Sequence, residues 1–320
     1  MPKPKKIILD CDPGHDDAIA MILAASNPHI QLEAITTVAG NVEVEKTTLN
    51  ALRMCDILGL EDVPVAQGAA QPLVREREIA PTIHGKTGLD GPHFPEVPRK
   101  EVVDQHAVDV IIEKVMESNG DLYLVPTGPL TNIALAIQKE PAITDKVKEV
   151  VVMGGGTFGN WTPTAEFNIY VDAEAADIVF NSGIPVTMFG LDITHQTIAT
   201  EEILEQISEI GNSVSNLVSE LLVYFSHTYK EVFGFDGAPI HDACTVAYLI
   251  DESIFDFEKV RVDIETEGNY TYGTTCVDRL HVTGREPNVK FATQLDYERF
   301  WRLLIGALRA EGSDPGQVRT

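Results

Sequence analysis

Asp10, Asp12, Asp16 and Asp17 put four carboxylates into eight consecutive residues, Asp10-Cys11-Asp12-Pro13-Gly14-His15-Asp16-Asp17. They follow the apolar run Ile7-Ile8-Leu9 and precede a helical pattern, so they sit where a strand hands over to a helix. Helix capping accounts for one of these aspartates, or two, because Asp is a good N-cap and the helix dipole favours it. It does not account for Asp10 and Asp12 on the strand side. Four like charges this close repel unless they are protonated or neutralised by a cation, and Pro13-Gly14 imposes a turn that brings Asp12 back toward Asp16 and Asp17. The chemistry predicted is a hard-cation site. An oxygen-rich donor set, in a chain with no CxxC spacing, favours calcium or magnesium over zinc.

Other polar groups fall at the ends of further predicted strands. Ala39-Gly40-Asn41 follows one, Pro126-Thr127-Gly128 another, and Gly154-Gly155-Gly156 a third, whose loop carries Asn160, Glu166 and Asn168. Gly190-Leu191-Asp192 follows a fourth. Taken singly these are ordinary turn residues, and Thr131 and Asp172 read as helix caps. Together they would ring a metal with amides and carboxylates, a lining suited to a ligand with several hydroxyls such as a ribose. His241-Asp242 opens another helical pattern behind Gly237-Ala238-Pro239, and offers a distant metal ligand and a proton donor or ring contact. His84 lies in a long loop, where it is either solvated or part of the site.

The elements that must position these groups alternate. Strand patterns cover Lys6–Leu9, Gln31–Val38, Val63–Ala66, Asp121–Val125, Glu149–Met153 and Ile184–Phe189. Helical patterns cover Asp16–Ser26, Glu45–Leu58, Gln105–Glu117, Thr131–Lys139 and Ala173–Asn181. Continuous apolar strands alternating with helices predict an α/β fold, a mostly parallel central sheet with helices on both faces. Ligands of such sheets bind beyond the carboxyl ends of the strands, where the acidic cluster would lie. Residues 201–233 read as mostly helical. The tail mixes strands at Lys259–Glu265, Tyr270–Cys276 and Val289–Gln294 with a helix at Tyr297–Arg309. Loops 80–99 and 154–168 exceed the roughly 4–6 residues usual for compact connections, which points to function. With no repeat and no clean linker, residues 1–320 are expected to form a single domain.

Composition narrows the partners. The 320 residues carry 49 acidic and 24 basic side chains, a net charge of −25, which opposes binding to nucleic acid. A hydrophobic share of 44% supplies an ordinary globular core. No stretch approaches the roughly 20 apolar residues of a membrane span, and the apolar run after the basic N-terminus is too short for a signal peptide. Four widely separated cysteines predict a reducing, cytoplasmic location.

Two motifs compete for attention. Gly154 to Gly159 fits G-x-G-x-x-G after a strand, but Pro163 stands where the dinucleotide-binding helix should run, so the NAD reading is set aside. Asp10-Cys11-Asp12 also fits a magnesium phosphohydrolase with an aspartate nucleophile, although Pro13-Gly14 follows where a Thr or Val is usual. There is no Walker A sequence and no G-x-S-x-G elbow.

The blocks Ile7 to Asp17, Ile35 to Asn41, Ile83-His84-Gly85, Val125 to Asn132, Val152 to Gly156, Ala165 to Asn168, Leu191 to His195 and Ile240-His241-Asp242 together resemble the nucleoside hydrolases, the inosine-uridine-preferring and pyrimidine-preferring members most closely. The resemblance implies a Rossmann-like fold and calcium-dependent cleavage of a ribonucleoside to free base and ribose. It implies that Asp12, Asp17, Asp242 and the Thr127 carbonyl hold Ca2+, with Asp10 supporting them from behind, and that Asp12 deprotonates the attacking water. Asp16, Asn41, Asn160, Glu166, Asn168 and Asp242 would hold the ribose, with Met153 against the sugar. His241 would protonate or polarise the departing base, with His84 lining the same pocket and Tyr229 and Phe233 facing the base. His15 stands at a variable motif position and takes no role. Uridine and inosine are the substrates implied, with cytidine a further candidate, and a homodimer or homotetramer is the implied assembly. Two other readings stay open: the magnesium phosphohydrolase, and a nucleoside-binding protein without turnover.

Overall fold

The computed structural model describes residues 3–311. Nine strands, β1 (Lys5–Cys11), β2 (Ile30–Thr37), β3 (Val65–Gln67), β4 (Leu122–Pro126), β5 (Val147–Met153), β6 (Val186–Phe189), β7 (Phe255–Ile264), β8 (Thr275–Asp278) and β9 (Val289–Leu295), form one sheet in the order β3-β2-β1-β4-β5-β6-β9-β7-β8. The pairings from β3 to β9 are parallel, and β7 and β8 close one edge antiparallel. The mostly parallel α/β sheet expected from the sequence is therefore present.

The helices are α1 (His15–Ser26), α2 (Val44–Leu58), α3 (Pro81–His84), α4 (Ala107–Glu117), α5 (Thr131–Lys139), α6 (Phe167–Val171), α7 (Ala173–Phe180), α8 (Leu191–Thr194), α9 (Glu201–Ser208), α10 (Ser213–Phe233), α11 (Ala243–Ile250) and α12 (Tyr297–Glu311). Alternation along β1 shows why both faces are covered. Ile7, Leu9 and Cys11 join a core with α1, α2, α11 and α12, whereas Ile8 joins a separate core with α4, α5 and α7. A third apolar cluster, with Ile83, Phe167, Phe225 and Tyr229, lies apart from both.

Strand order locates the site. β1 lies between β2 and β4, so the chain leaves it in one direction and later returns on its other side. Crevices of doubly wound sheets open at such a switch point. Here the residues beyond the two strands are Asp12 and Thr127.

Two local expectations are corrected. Residues 270–273 form a turn rather than the start of a strand: Tyr272 N donates to Gly268 O at 2.9 Å, and Gly273 takes φ +77°, a left-handed conformation that breaks the extended run. The strand begins only at Thr275. Thr131 is the first residue of α5 rather than its cap, and its hydroxyl donates to Asp172 Oδ2 at 2.6 Å. Asp172 does cap its helix, accepting from Ala175 N.

Candidate active site

The acidic cluster is built by one tight turn. Gly14 is the N-cap of α1, and its N–H donates to Asp17 Oδ2 at 2.9 Å, so Asp17 turns back over the first turn of its own helix. Thr127, beyond β4, donates its hydroxyl to the other oxygen, Oδ1, at 2.8 Å. Asp12 Oδ2 accepts from Asn41 N at 2.7 Å, while its Oδ1 is buried without a partner. Gly40 and Gly128 make room for this carboxylate: a Cβ at either would come within 2.1 Å of Oδ2 or 2.5 Å of Oδ1.

Asp242 arrives from the start of α11, more than 200 positions away. One oxygen each of Asp16, Asp17 and Asp242 lies within 4.8 Å of the others, and all three residues are buried. The ion pairs of the described residues serve other carboxylates. Without a cation the cluster must hold protons. Burial first, and then the neighbouring aspartates, push Asp16 up to about 8 and Asp12 and Asp242 well above the carboxylate range. Burial lifts Asp17 to about 6, opposed by its hydrogen bonds. The donor atoms are carboxylate oxygens, with Thr127 bonded to one of them, a set that fits a hard divalent cation. The orphaned Asp12 Oδ1 is an oxygen such an ion would satisfy.

Asp10 lies near the end of β1, and its Oδ2, like Asp12 Oδ1, is buried without a hydrogen-bond partner. Its Oδ1 accepts from Thr36 Oγ1 at 2.6 Å and from Asn132 Nδ2 at 2.8 Å, which ties β1 to β2 and α5.

An open cleft of about 510 Å³ lies in front of the cluster. Of the expected site residues, Asp16, Asn41, His84, Thr127, Met153, Asn160, Glu166, Asn168, Tyr229, Phe233, His241 and Asp242 all line it. Asp10, Asp12 and Asp17 do not; they are buried behind it. Ala80, Ile83, Trp161 and Phe167 complete the wall and were not anticipated, although they fall in the two long loops whose length pointed to function.

Glu166 caps α6 and gathers backbone N–H groups from Asn168, Ile169 and Gly155, at 2.9, 3.1 and 2.9 Å. Burial still lifts its carboxyl to about 7 against those bonds. Asn168 Nδ2 donates to Thr127 O at 2.8 Å and to Met153 O at 3.2 Å, joining the ends of β4 and β5. Asn160 Oδ1 accepts from Phe167 N.

The lining is also aromatic. Trp161 meets Phe167 edge-on, and Tyr229 packs against Phe225 and Phe233. The Tyr229 hydroxyl is 2.7 Å from His241 Nε2, and Thr194 Oγ1 is 2.7 Å from His241 Nδ1. Burial pushes His241 well below the ordinary histidine value, so the ring is neutral. Thr194 was not anticipated, since nothing in the sequence marks a partner 47 positions away. One cleft thus combines oxygen donors with a neutral imidazole–phenol pair.

The chain is similar to known proteins over nearly its full length. The family model for inosine-uridine preferring nucleoside hydrolases matches residues 7–302. The pyrimidine-specific ribonucleoside hydrolase RihA of Shewanella sp. (strain ANA-3) is 48% identical over 306 residues, covering 95% of this chain and 96% of that one. Among solved structures, the purine-preferring ribonucleoside hydrolase from Gardnerella vaginalis superposes with a TM-score of 0.89 at 34% identity, covering 96% of this chain and 99% of that one. A plant nucleoside hydrolase gives 0.90 at 34% identity with the same coverage. Sheet topology, acidic crevice and sequence therefore agree that the chain belongs to the inosine-uridine preferring nucleoside hydrolase family.

Proposed function

We propose that this chain hydrolyses the N-glycosidic bond of ribonucleosides, with pyrimidine ribonucleosides as its preferred substrates and calcium as its metal. The observation that carries the reading is a single cleft lined by carboxylates, amides and the Tyr229–His241 pair among aromatics. The preference follows the 48% identical relative, named for pyrimidine nucleosides, over the 34% identical structure named for purines.

Asp12, Asp17, Asp242 and the Thr127 carbonyl would hold calcium; of the aspartates, Asp16, Asp17 and Asp242 bring carboxylate oxygens within 4.8 Å of one another. When bound, that ion supplies a fixed positive charge that lowers the pKa of water and gathers sugar hydroxyls. Asp12 takes the proton from the attacking water. Asn41, Asn160, Glu166 and Asn168 orient the ribose, with Asp16 and Asp242, and Met153 packs against it. As the C1′–N bond breaks, its electron pair leaves with the base and the sugar becomes oxocarbenium-like. Surrounding carboxylates favour that positive charge. The base leaves more readily when a ring atom is protonated or hydrogen-bonded, the task of His241 with Tyr229. Neither Lys nor Arg lines the cleft, so nothing there favours a phosphate ester.

Residues from Asp16 to Asp242 meet in one cleft, and the strands from β1 to β9 form one sheet, which supports reading residues 1–320 as one domain. A homodimer or homotetramer in the cytoplasm completes the proposal on the family resemblance, and light scattering tests the assembly. The decisive assay incubates the protein with uridine, cytidine, inosine and a generic phosphate ester, with calcium and with EDTA. Base and ribose released from the pyrimidine nucleosides only with calcium is the expected result. Phosphate release, or nucleoside binding without products, overturns it.

A further inference from the structure

His15, inside the acidic motif, is fully buried, and its ring is stacked on Tyr224 and Phe225 at interplanar angles of 2° and 7°. Both ring nitrogens are engaged. Nε2 lies 2.8 Å from the backbone oxygen of Asp90, and Nδ1 lies 3.3 Å from Nδ1 of His84. A carbonyl oxygen can only accept, so His15 Nε2 carries a hydrogen. The ring is buried with a carbonyl and another imidazole as partners, so it is neutral, because a buried charge without a counterion is costly. Its Nδ1 is then a lone pair, and the hydrogen between the two rings must belong to His84 Nδ1. The one competing contact, the His15 backbone N–H toward His84 Nδ1, is longer at 3.4 Å and loses its acceptor in this arrangement, whereas keeping it would leave two lone pairs facing each other across 3.3 Å.

We infer that His15 is a positioning residue that locks His84 in its Nδ1–H tautomer, so that His84 presents a bare Nε2 to the cleft as a hydrogen-bond acceptor. His84 lines the cleft, and none of its hydrogen bonds among the described residues uses Nε2. The ligand group recognised there must bring its own hydrogen, a sugar hydroxyl or a base imino N–H. This ligand half rests on the nucleoside reading above, whereas the tautomer does not.

Long-range 1H–15N correlation spectra of protein labelled at histidine nitrogens read the tautomer directly, with His84 assigned by the loss of its signals in His84→Gln. The expected wild-type pattern is protonated Nδ1 and bare Nε2. His15→Phe keeps the ring stack but removes both hydrogen bonds; it should release His84 to a mixture and raise KM for uridine about tenfold, with a smaller change in kcat. His15→Gln, whose amide can accept from His84 and donate to Asp90, should restore both. An Nε2–H His84 in the wild type overturns the inference, as does an unchanged tautomer in His15→Phe. If that variant does not fold, the wild-type and His15→Gln spectra decide. 5′-Deoxyuridine and 3-methyluridine separate the two sources of hydrogen: the analogue whose KM rises in the wild type, with no further rise in His15→Phe, names the group. Equal KM for uridine and both analogues overturns the ligand half. A protein that cleaves no nucleoside refutes the proposed function, and the spectra still judge the tautomer.

Discussion

Tyr229 and His241 share a 2.7 Å contact between the phenol oxygen and Nε2, and the far nitrogen of the same ring is held at the same distance by Thr194. Hydroxyls donate or accept, so either imidazole tautomer is satisfied and a proton can pass along the chain without the ring turning. Tyr229→Phe removes one end while filling the same space. Its kcat on uridine should fall about 100-fold, at the lower end for loss of an acid–base group. KM and the melting temperature should change little. A kcat within threefold of wild type would remove Tyr229 from the reaction.

Metal-free protein should lose stability as pH rises from 6.5 to 8.5. Burial lifts Asp10 and Glu166 to about 7 and Asp16 to about 8 in the folded chain. In the unfolded chain these groups titrate near 4 and are ionised throughout that window. The folded state therefore holds more protons, and the stability this gives is lost as pH climbs through 7 to 8. Below 6.5 the sign reverses for histidines, because His15 and His195 are held down to about 4 and the unfolded chain takes up their protons first. In EDTA the melting temperature should drop by about 3 °C or more across the window. Calcium should raise it and flatten the slope, since the ion replaces the protons. A flat profile in EDTA would contradict the buried-cluster electrostatics.

Much of this was legible because it depends on short-range patterns. The apolar run of β1, the Pro-Gly turn and the following carboxylates are contiguous, so strand, turn and acidic site could be read together. α5 begins and ends where its apolar spacing placed it, at Thr131 and Lys139. What escaped depends on partners distant in sequence. Trp161 and Ile83 look like ordinary loop residues until the fold sets them beside Tyr229. Thr194 and His15 acquire roles only through His241 and His84. The turn before β8 was missed because Tyr and Thr favour strands, while the glycines at 268 and 273 decide the backbone there.

Asn132→Ala should destabilise without touching the chemistry directly. Its amide donates to Asp10 Oδ1 and Thr37 O, and its oxygen accepts from Ala69 N, all in the interior. Truncation takes this partner from Ala69 N and Thr37 O and one of two donors from Asp10 Oδ1, at about 1–3 kcal/mol for each group left unsatisfied. Chemical denaturation should give a loss of about 3 kcal/mol or more. A loss below about 1 kcal/mol would mean that water replaces the amide.

Asp12 offers a sharper test because its surroundings can be changed without changing the residue. Asp12→Asn keeps the size of the side chain and one acceptor for Asn41 N, but removes the charge and the proposed base. Turnover should fall by about 1000-fold, within the span usual for general bases, with the far-ultraviolet circular dichroism unchanged. Gly128→Ala leaves the carboxylate in place chemically but puts a methyl 2.5 Å from its Oδ1, the oxygen without a partner. Contact that close forces the carboxylate to move. Gly128→Ala should therefore reproduce most of the kcat loss of Asp12→Asn and also weaken calcium binding in calorimetry. In the double variant the two losses should not multiply, because both act on one carboxylate. Multiplicative losses would show that Gly128 acts on something other than Asp12.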